Sequence, residues 1–305
     1  MNFYPLNLMK SIGDIPLFST TLKDFSNNTG IGFEEDAIVI PGKHDFTINK
    51  YWDLVYSVSN LIELFIESER PDNSFIPDNI IITGSREDIF IRKDVEIRGS
   101  THINTESGPV IIDSESELNN FNVIEGPAYI GKLTHLDNAT VRGPVITGKV
   151  CRLSGEIEES FIMDYVNKHH YGFLGHSIVE NWVNLGAGTS NSDLKNNYSN
   201  VRIFDGSKFI DSGYMKMGCI IGEHSKTAIG TMINTGTVIG PFCNVFGSML
   251  RVKHLPPFSW GTGEYSFQLN KLLSLIETVM SRRDAKPSSD YIEKITALYK
   301  SSVQD

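Results

Sequence analysis

From Ile91 to Val245 the chain carries an apolar residue at nearly every sixth position. Ile221, Thr227, Ile233, Ile239 and Val245 open successive hexads, and Ser225, Thr231, Thr237 and Cys243, all small, stand four residues into the first four. The beat also runs through Ile91, Ile97 and Ile103, with Val95, Thr101 and Ser107 in the small slot. It returns at Ile112, Leu118, Ile124, Ile130 and Leu136, with Ser116, Asn122, Ala128, Thr134 and Thr140. Six matches neither the 3.6-residue period of a helix nor the alternation of a strand; it is the hexapeptide repeat of a β-helix. One aliphatic residue per hexad points inward, a small one turns the corner, and three hexads close a triangular coil of about 18 residues. Gly108-Pro109, Gly126-Pro127 and Gly143-Pro144 recur at about that interval. The predicted class is all-β: a left-handed parallel β-helix, with strands stacked about 4.8 Å apart and small α-helical elements at both ends.

The beat divides the chain into 1–84, 85–255 and 256–305. In the first part Leu54, Val58, Leu61, Ile62 and Phe65 fall at helical spacing and predict an amphipathic helix near 50–68. A coil leaves unpaired edges at its ends, so this helix is a candidate N-terminal cap. In the last part Leu269, Leu272, Leu273, Ile276, Val279 and Met280 make one apolar helical face. Lys286-Pro287 breaks it, Ser288, Ser289 and Asp290 offer a cap, and Ile292, Ile295 and Leu298 form a second stripe. These helices are expected to cover the last coil or a neighbouring subunit.

Composition narrows the function. The chain has 305 residues, 40% hydrophobic and 21% charged, which is globular. No apolar run reaches the roughly 18 residues of a membrane span, and no basic-then-apolar leader opens the chain. The net charge of −10 argues against nucleic-acid or anionic-membrane partners, so an anionic ligand needs a local basic patch. Cys151, Cys219 and Cys243 have no metal-ligand spacing and fit a reducing cytoplasm.

Over 169–202 the hexads are interrupted by a polar, Asn- and Gly-rich segment, HHYGFLGHSIVENWVNLGAGTSNSDLKNNYSNVR. Insertions in β-helices leave at corners, often on the binding face. HYGFLG at 170–175 and VNLGAGT at 183–189 resemble the acetyltransferase half of the bifunctional enzyme that makes UDP-N-acetylglucosamine. DLKNNY at 193–198, GEHSKTAIGTMINTGTVIG at 222–240 and PPFSWG at 256–261 resemble a divergent sugar nucleotidyltransferase-like group of such proteins. The resemblance spans about 105–262.

That resemblance implies an N-acetyltransferase acting on an amino-sugar phosphate such as glucosamine-1-phosphate, with acetyl-CoA as co-substrate. It puts the proton-accepting base at His170 and sugar-phosphate contacts at Arg142, Phe173 and Asn184. Backbone N–H groups at Gly186 and Gly188 are candidates to hold an oxyanion, and Lys195, Tyr198 and Lys226 to anchor the co-substrate. His169 and His176 read as surface or interface histidines, and His224 as a packing or hydrogen-bonding residue near the coil surface. Three positions depart from the family's pattern. Phe173 lacks the phenolic hydroxyl, Glu158 stands where a phosphate-binding lysine is wanted, and Asp193-Leu194 replace an Asn-Tyr pair. YPLNLMKSIGDIPLF resembles the stretch after the Gly-rich loop of sugar nucleotidyltransferases. With no such loop ahead of it, residues 1–84 are expected to be a degenerate remnant without uridylyltransferase activity. The alternative is a sugar- or nucleotide-binding protein with weakened or lost catalysis. A γ-carbonic-anhydrase-type zinc site does not match the histidine spacing, and no metal is expected. A homotrimer is the assembly that the resemblance implies.

Overall fold

A computed structural model describes residues 3–303 except 34–36, 43–44, 70, 72–75, 248, 251 and 264. The chain winds into a left-handed β-helix of three parallel-stacked faces. The first face stacks Ile89–Ile91, Val110–Ile112, Ala128–Ile130, Ile178–Val179, Cys219–Ile221, Thr237–Ile239 and His254–Leu255. The second stacks Glu96–Ile97, Glu117–Asn119, Asn167–Lys168, Asn184–Leu185, Lys226–Thr227, Asn244–Val245 and Ser259–Trp260. The third stacks Ile80–Thr83, Thr101–Asn104, Asn122–Glu125, Phe173–Gly175, Ser190–Asn191 and Met232–Ile233. Two long strands, His135–Thr147 and Arg152–Ile162, run through all three faces in the middle of the stack.

The hexad openers form the interior. Leu118, Ile124, Ile130, Ile221, Ile239 and Val245 are all buried. The small slot is usually hydroxylic because its oxygen can bridge to the next coil. Ser116 Oγ donates to Gly131 O at 2.9 Å, Thr134 Oγ1 to Gly148 O at 2.9 Å, and Ser225 Oγ to Gly240 O at 2.7 Å. A buried hydroxyl thereby satisfies a corner carbonyl that the ladder leaves over. The beat slips where coils shorten: between Leu136 and Ala139 the register shifts, and Ala139 takes the buried slot expected of Thr140. Ser107, also expected in that slot, is exposed. The three cysteines are free and buried, and burial pushes each thiol up to about 12, so none is poised as a nucleophile.

The N-terminal segment is not an end cap. Its helices α1 (Leu22–Thr29), α2 (Asp53–Tyr56) and α3 (Val58–Glu69) lie along the side of the coil. Phe18, Leu54, Val58, Leu61, Ile62 and Phe65 bury the outward side chains of the first face, from Ile111, Tyr129, Ile146 and Phe161 up to Ile178, Ile220 and Val238. These strands are apolar on both faces, so their outer side must be covered, and a helix does so.

The C-terminal helices α4 (Leu269–Ser281) and α5 (Ser289–Ser302) cover the corner between the first and second faces. Ser288 caps α5, accepting from the Tyr291 N–H at 3.2 Å. At this corner each coil places one non-glycine residue in left-handed conformation: Asp94, Glu115, Leu133, Val150, Tyr165, Trp182, His224, Phe242 and Phe258, with φ between 57° and 64°. The last five stack as an aromatic column, with ring centroids 4.0 Å apart for Tyr165–Trp182, 5.7 Å for Trp182–His224, 5.8 Å for His224–Phe242 and 5.2 Å for Phe242–Phe258. Beneath it a buried polar cluster ties both ends of the chain to the coil. Lys10 pairs with Glu223, Tyr291 Oη donates to Glu223, and Tyr51 Oη donates to Glu180 Oε1 at 3.0 Å.

The true interruption of the coil is later than the sequence suggests. The beat persists through Ser190–Asn191, and residues 192–217 form the insertion, which carries an antiparallel hairpin of Arg202–Phe204 and Phe209–Asp211. It leaves the corner between the third and first faces and packs on the N-terminal segment. Trp52 Nε1 donates to Ser212 O at 3.2 Å, and Tyr56 stacks on Tyr214 at 3.7 Å.

Candidate active site

His170 lies at the opposite edge of the third face, at its corner with the second. The second-face strand Asn167–Lys168 delivers it, and Gly172 turns the chain away with φ 133°. A Cβ on Gly172 would come within 2.1 Å of Thr189 O, so only glycine lets this corner stack on the next. Lys168 is buried beneath the turn. Its ammonium donates to Ser154 O at 2.6 Å, Gly172 O at 2.7 Å and His170 O at 3.3 Å, and burial brings it down to about 8. Three carbonyls converging on one cation fix the corner, while the His170 side chain stays exposed. Asp137, Asn138, Ser154, Gly155, His169 and Tyr171 complete a shallow depression of about 480 Å³ around it. His169 Nε2 stands 3.7 Å from Asp137 Oδ2.

The other expected site residues are spread over the surface of the single chain. Phe173 is on the third face opposite Glu156. Arg142, on the same face, is engaged by Glu156 and lies 3.8 Å from Glu125, so its charge is already met by two carboxylates. Glu158 pairs with Lys216 of the insertion at 3.3 Å. Lys195 and Tyr198 belong to the insertion, and Tyr198 is exposed. The amides of Gly186 and Gly188 are spent inside the protein: the first donates to Thr227 O at 3.1 Å and the second to Tyr171 O at 2.9 Å. They do not serve as the free oxyanion donors expected of them. Asn184 and Lys226 are adjacent in register on the second face, and Asn167 Nδ2 donates to Asn184 Oδ1 at 2.5 Å.

The sequence reading missed His176. It is buried, not a surface histidine, with Nε2 3.1 Å from Glu159 and Nδ1 2.8 Å from Asp193. Although burial opposes its charge, the two carboxylates prevail and raise the imidazole to about 9. Glu158, Glu159 and His176 each present a ligand atom within 4.8 Å of one another, but the same imidazole already bridges Glu159 and Asp193 as their shared ion-pair partner. The geometry instead pins the insertion, through Asp193, to the coil. No local motif marks it, because Glu159 and Asp193 reach His176 only once coils stack.

His176→Ala is expected to destabilise the protein by about 3 kcal/mol, since two carboxylates lose their shared cation. The folded imidazole titrates above its ordinary 6.5, so this contribution is complete below pH 6.5 and is lost as pH rises toward 9. Urea melts at pH 6 and pH 9 check it: the gap between wild type and variant should narrow at the higher pH, and a gap that does not change contradicts the assignment. Of the two roles expected of His224 the packing one holds: it is buried between Trp182 and Phe242 and not near the surface, with burial holding its imidazole neutral.

Comparison with known proteins agrees with the architecture. A bifunctional sugar-1-phosphate nucleotidylyltransferase/acetyltransferase of Sulfurisphaera tokodaii is 30% identical over 200 residues, 65% of this chain and 44% of that protein. An uncharacterized acetyltransferase of Escherichia coli K12, YaiX, is 29% identical over 58% of this chain and 76% of its own. The bifunctional protein GlmU of Synechococcus elongatus is 26% identical over 50% of this chain and 32% of its own length. The chain thus spans less than half of either bifunctional relative. Among solved structures, an N-acyltransferase from Bacillus cereus in complex with dTDP and coenzyme A covers 67% of this chain and 91% of its own at 14% identity and a TM-score of 0.21, too loose a likeness to carry an argument. No protein-family model matches the chain. Among the described residues no helix is long and apolar enough to cross a membrane.

Proposed function

We propose that this chain, whose hexapeptide-repeat coil resembles the acetyltransferase part of those bifunctional proteins, is an acyl-CoA-dependent N-acetyltransferase for an amino sugar in sugar-nucleotide synthesis. The observation that carries the reading is His170: an exposed imidazole on a corner held rigid by Lys168, inside the sequence stretch that bears the resemblance. The acceptor nitrogen attacks the thioester carbonyl of the acyl-CoA, a C–N bond forms, and the C–S bond breaks. His170 takes the proton that the nitrogen sheds and returns one to the departing thiolate.

Exposed apolar side chains support a homotrimer. Ile81 and Met232 lie on the third face, and Phe121, Tyr171 and Ile229 lie on the corner where His170 stands; each is at least 48% exposed. A stripe of this kind marks an interface, and the first face is already covered. Neighbouring copies meeting there bring further side chains toward His170.

The finer choice of glucosamine-1-phosphate is opposed by Arg142, whose charge Glu125 and Glu156 already meet. That observation favours the second reading, a sugar- or nucleotide-binding protein that has lost catalysis. Thiol release from acetyl-CoA, followed across a panel of amino sugars and their phosphates, separates the two. Acceptor-dependent release with saturation is expected; no release above the uncatalysed rate with any acceptor overturns the acetyltransferase reading.

A further inference from the structure

We infer that the cleft between the second face of the coil and the C-terminal end of α4 is a binding site for a phosphate-bearing small molecule. It lies apart from the depression around His170, and it takes in Asn184 and Lys226, two positions that the resemblance gives to sugar-phosphate and co-substrate contacts, while its charge balance is argued without that reading. The coil supplies Asn167, Asn184 and Lys226, the helix end supplies Arg282 and Arg283, and the stacked rings of Tyr165 and Trp182 form a wall around about 260 Å³.

The charge balance is the argument. Three cations line the cleft and no carboxylate does, in a chain with ten more acidic than basic residues. Among the described residues Lys226, Arg282 and Arg283 form no ion pair. Elsewhere, Arg142 and Arg98 on the coil and Lys216 of the insertion each have a carboxylate. Lys226 uses one ammonium hydrogen on His224 O at 2.9 Å, and the rest of its donor capacity faces the cleft. Burial lowers that ammonium to about 8, the mark of a charge held out of water without a counter-ion. Arg152 is lowered as well, by burial and then by the Arg283 charge.

Asn184 accepts from Asn167 through Oδ1, which leaves its amide hydrogens for a ligand oxygen. A helix C-terminus attracts cations by its dipole, which accounts for Arg282 and Arg283 at the end of α4. It does not account for Lys226 and the asparagine pair, which the coil brings from the other side. Forked guanidinium donors with an ammonium and an amide converging on a small concavity suit a phosphate dianion.

Isothermal titration of the full chain at low salt tests this with inorganic pyrophosphate, glucosamine-1-phosphate and ADP as probes. At least one should bind, with affinity falling as sodium chloride is added. Arg282→Ala/Arg283→Ala, at a helix end that contributes little to the core, should weaken that binding at least tenfold with an unchanged melting temperature. Which probe binds best separates a sugar phosphate from a nucleotide. His170→Asn should bind as wild type does, which keeps failure here distinct from failure of the proposed chemistry. No binding by any of the three, or binding unaltered in the double variant, overturns the inference.

Discussion

His170→Asn is expected to lower kcat for acetyl transfer by about 10²–10⁴-fold, the usual contribution of a positioned general base. The melting temperature should hardly move. The side chain is exposed, and the corner is fixed by Lys168 through backbone carbonyls that the substitution leaves in place. Asparagine keeps polarity and approximate size and removes only the ability to take up a proton. The KM for the acyl donor should stay within a few-fold, since binding and proton transfer fall on different groups. Steady-state rates with the best acceptor decide the matter. A variant that retains full rate removes His170 from the chemistry, and one that loses rate and stability together points to a structural role instead.

Lys10→Met should cost about 3 kcal/mol of stability, as expected when a buried ion pair loses one partner. Lys10 is the cation paired with Glu223, whose other carboxylate oxygen accepts from Tyr291. Glu223 also donates its N–H to Glu180 Oε2 at 3.1 Å, so two buried glutamates share one lysine. Burial raises the Glu180 carboxyl to about 7, and the Lys10 charge acts to lower it. A carboxyl raised in the folded state favours folding while it holds its proton, and that contribution fades as pH rises from 4.5 toward 7. Without Lys10 the buried Glu180 carboxyl loses the charge that favours its ionised form. The deficit should therefore be larger at pH 8 than at pH 5.5, and Lys10→Met/Glu223→Gln should recover part of it. Equal deficits at both pH values would contradict the linkage.

Leu118, Ile124 and Ile130 were legible as interior because one position per hexad faces inward while coils keep a constant length. The pattern blurred where coils contract, Val145 standing opposite Ser160, and there Ala139 displaced Thr140. The lateral cover was also written in the chain, though less plainly. Ile111, Tyr129, Phe161 and Ile220 are outward positions occupied by large apolar residues, a surplus that makes sense only if something lies over that face. A periodicity search finds the inward residue and passes over this one. The His170 corner was singled out through its neighbours in sequence. The His176 pin was not, nor was the approach of Arg282 and Arg283 to Asn184 and Lys226, because each joins side chains that meet only across stacked coils or between coil and helix.

The lateral N-terminal segment also changes how the molecule should come apart. A bare solenoid couples each repeat to its neighbours alone, so its ends fray and its melting broadens with length. Here a single packed layer touches the first face from Ile111 to Val238, and residues 192–217 close onto that layer through Tyr214 and Ser212. Distant rungs then share one partner and cannot open independently. The β-helix should melt as one cooperative unit with matching calorimetric and van't Hoff enthalpies, and shortening the layer should restore the gradual unzipping of a one-dimensional array.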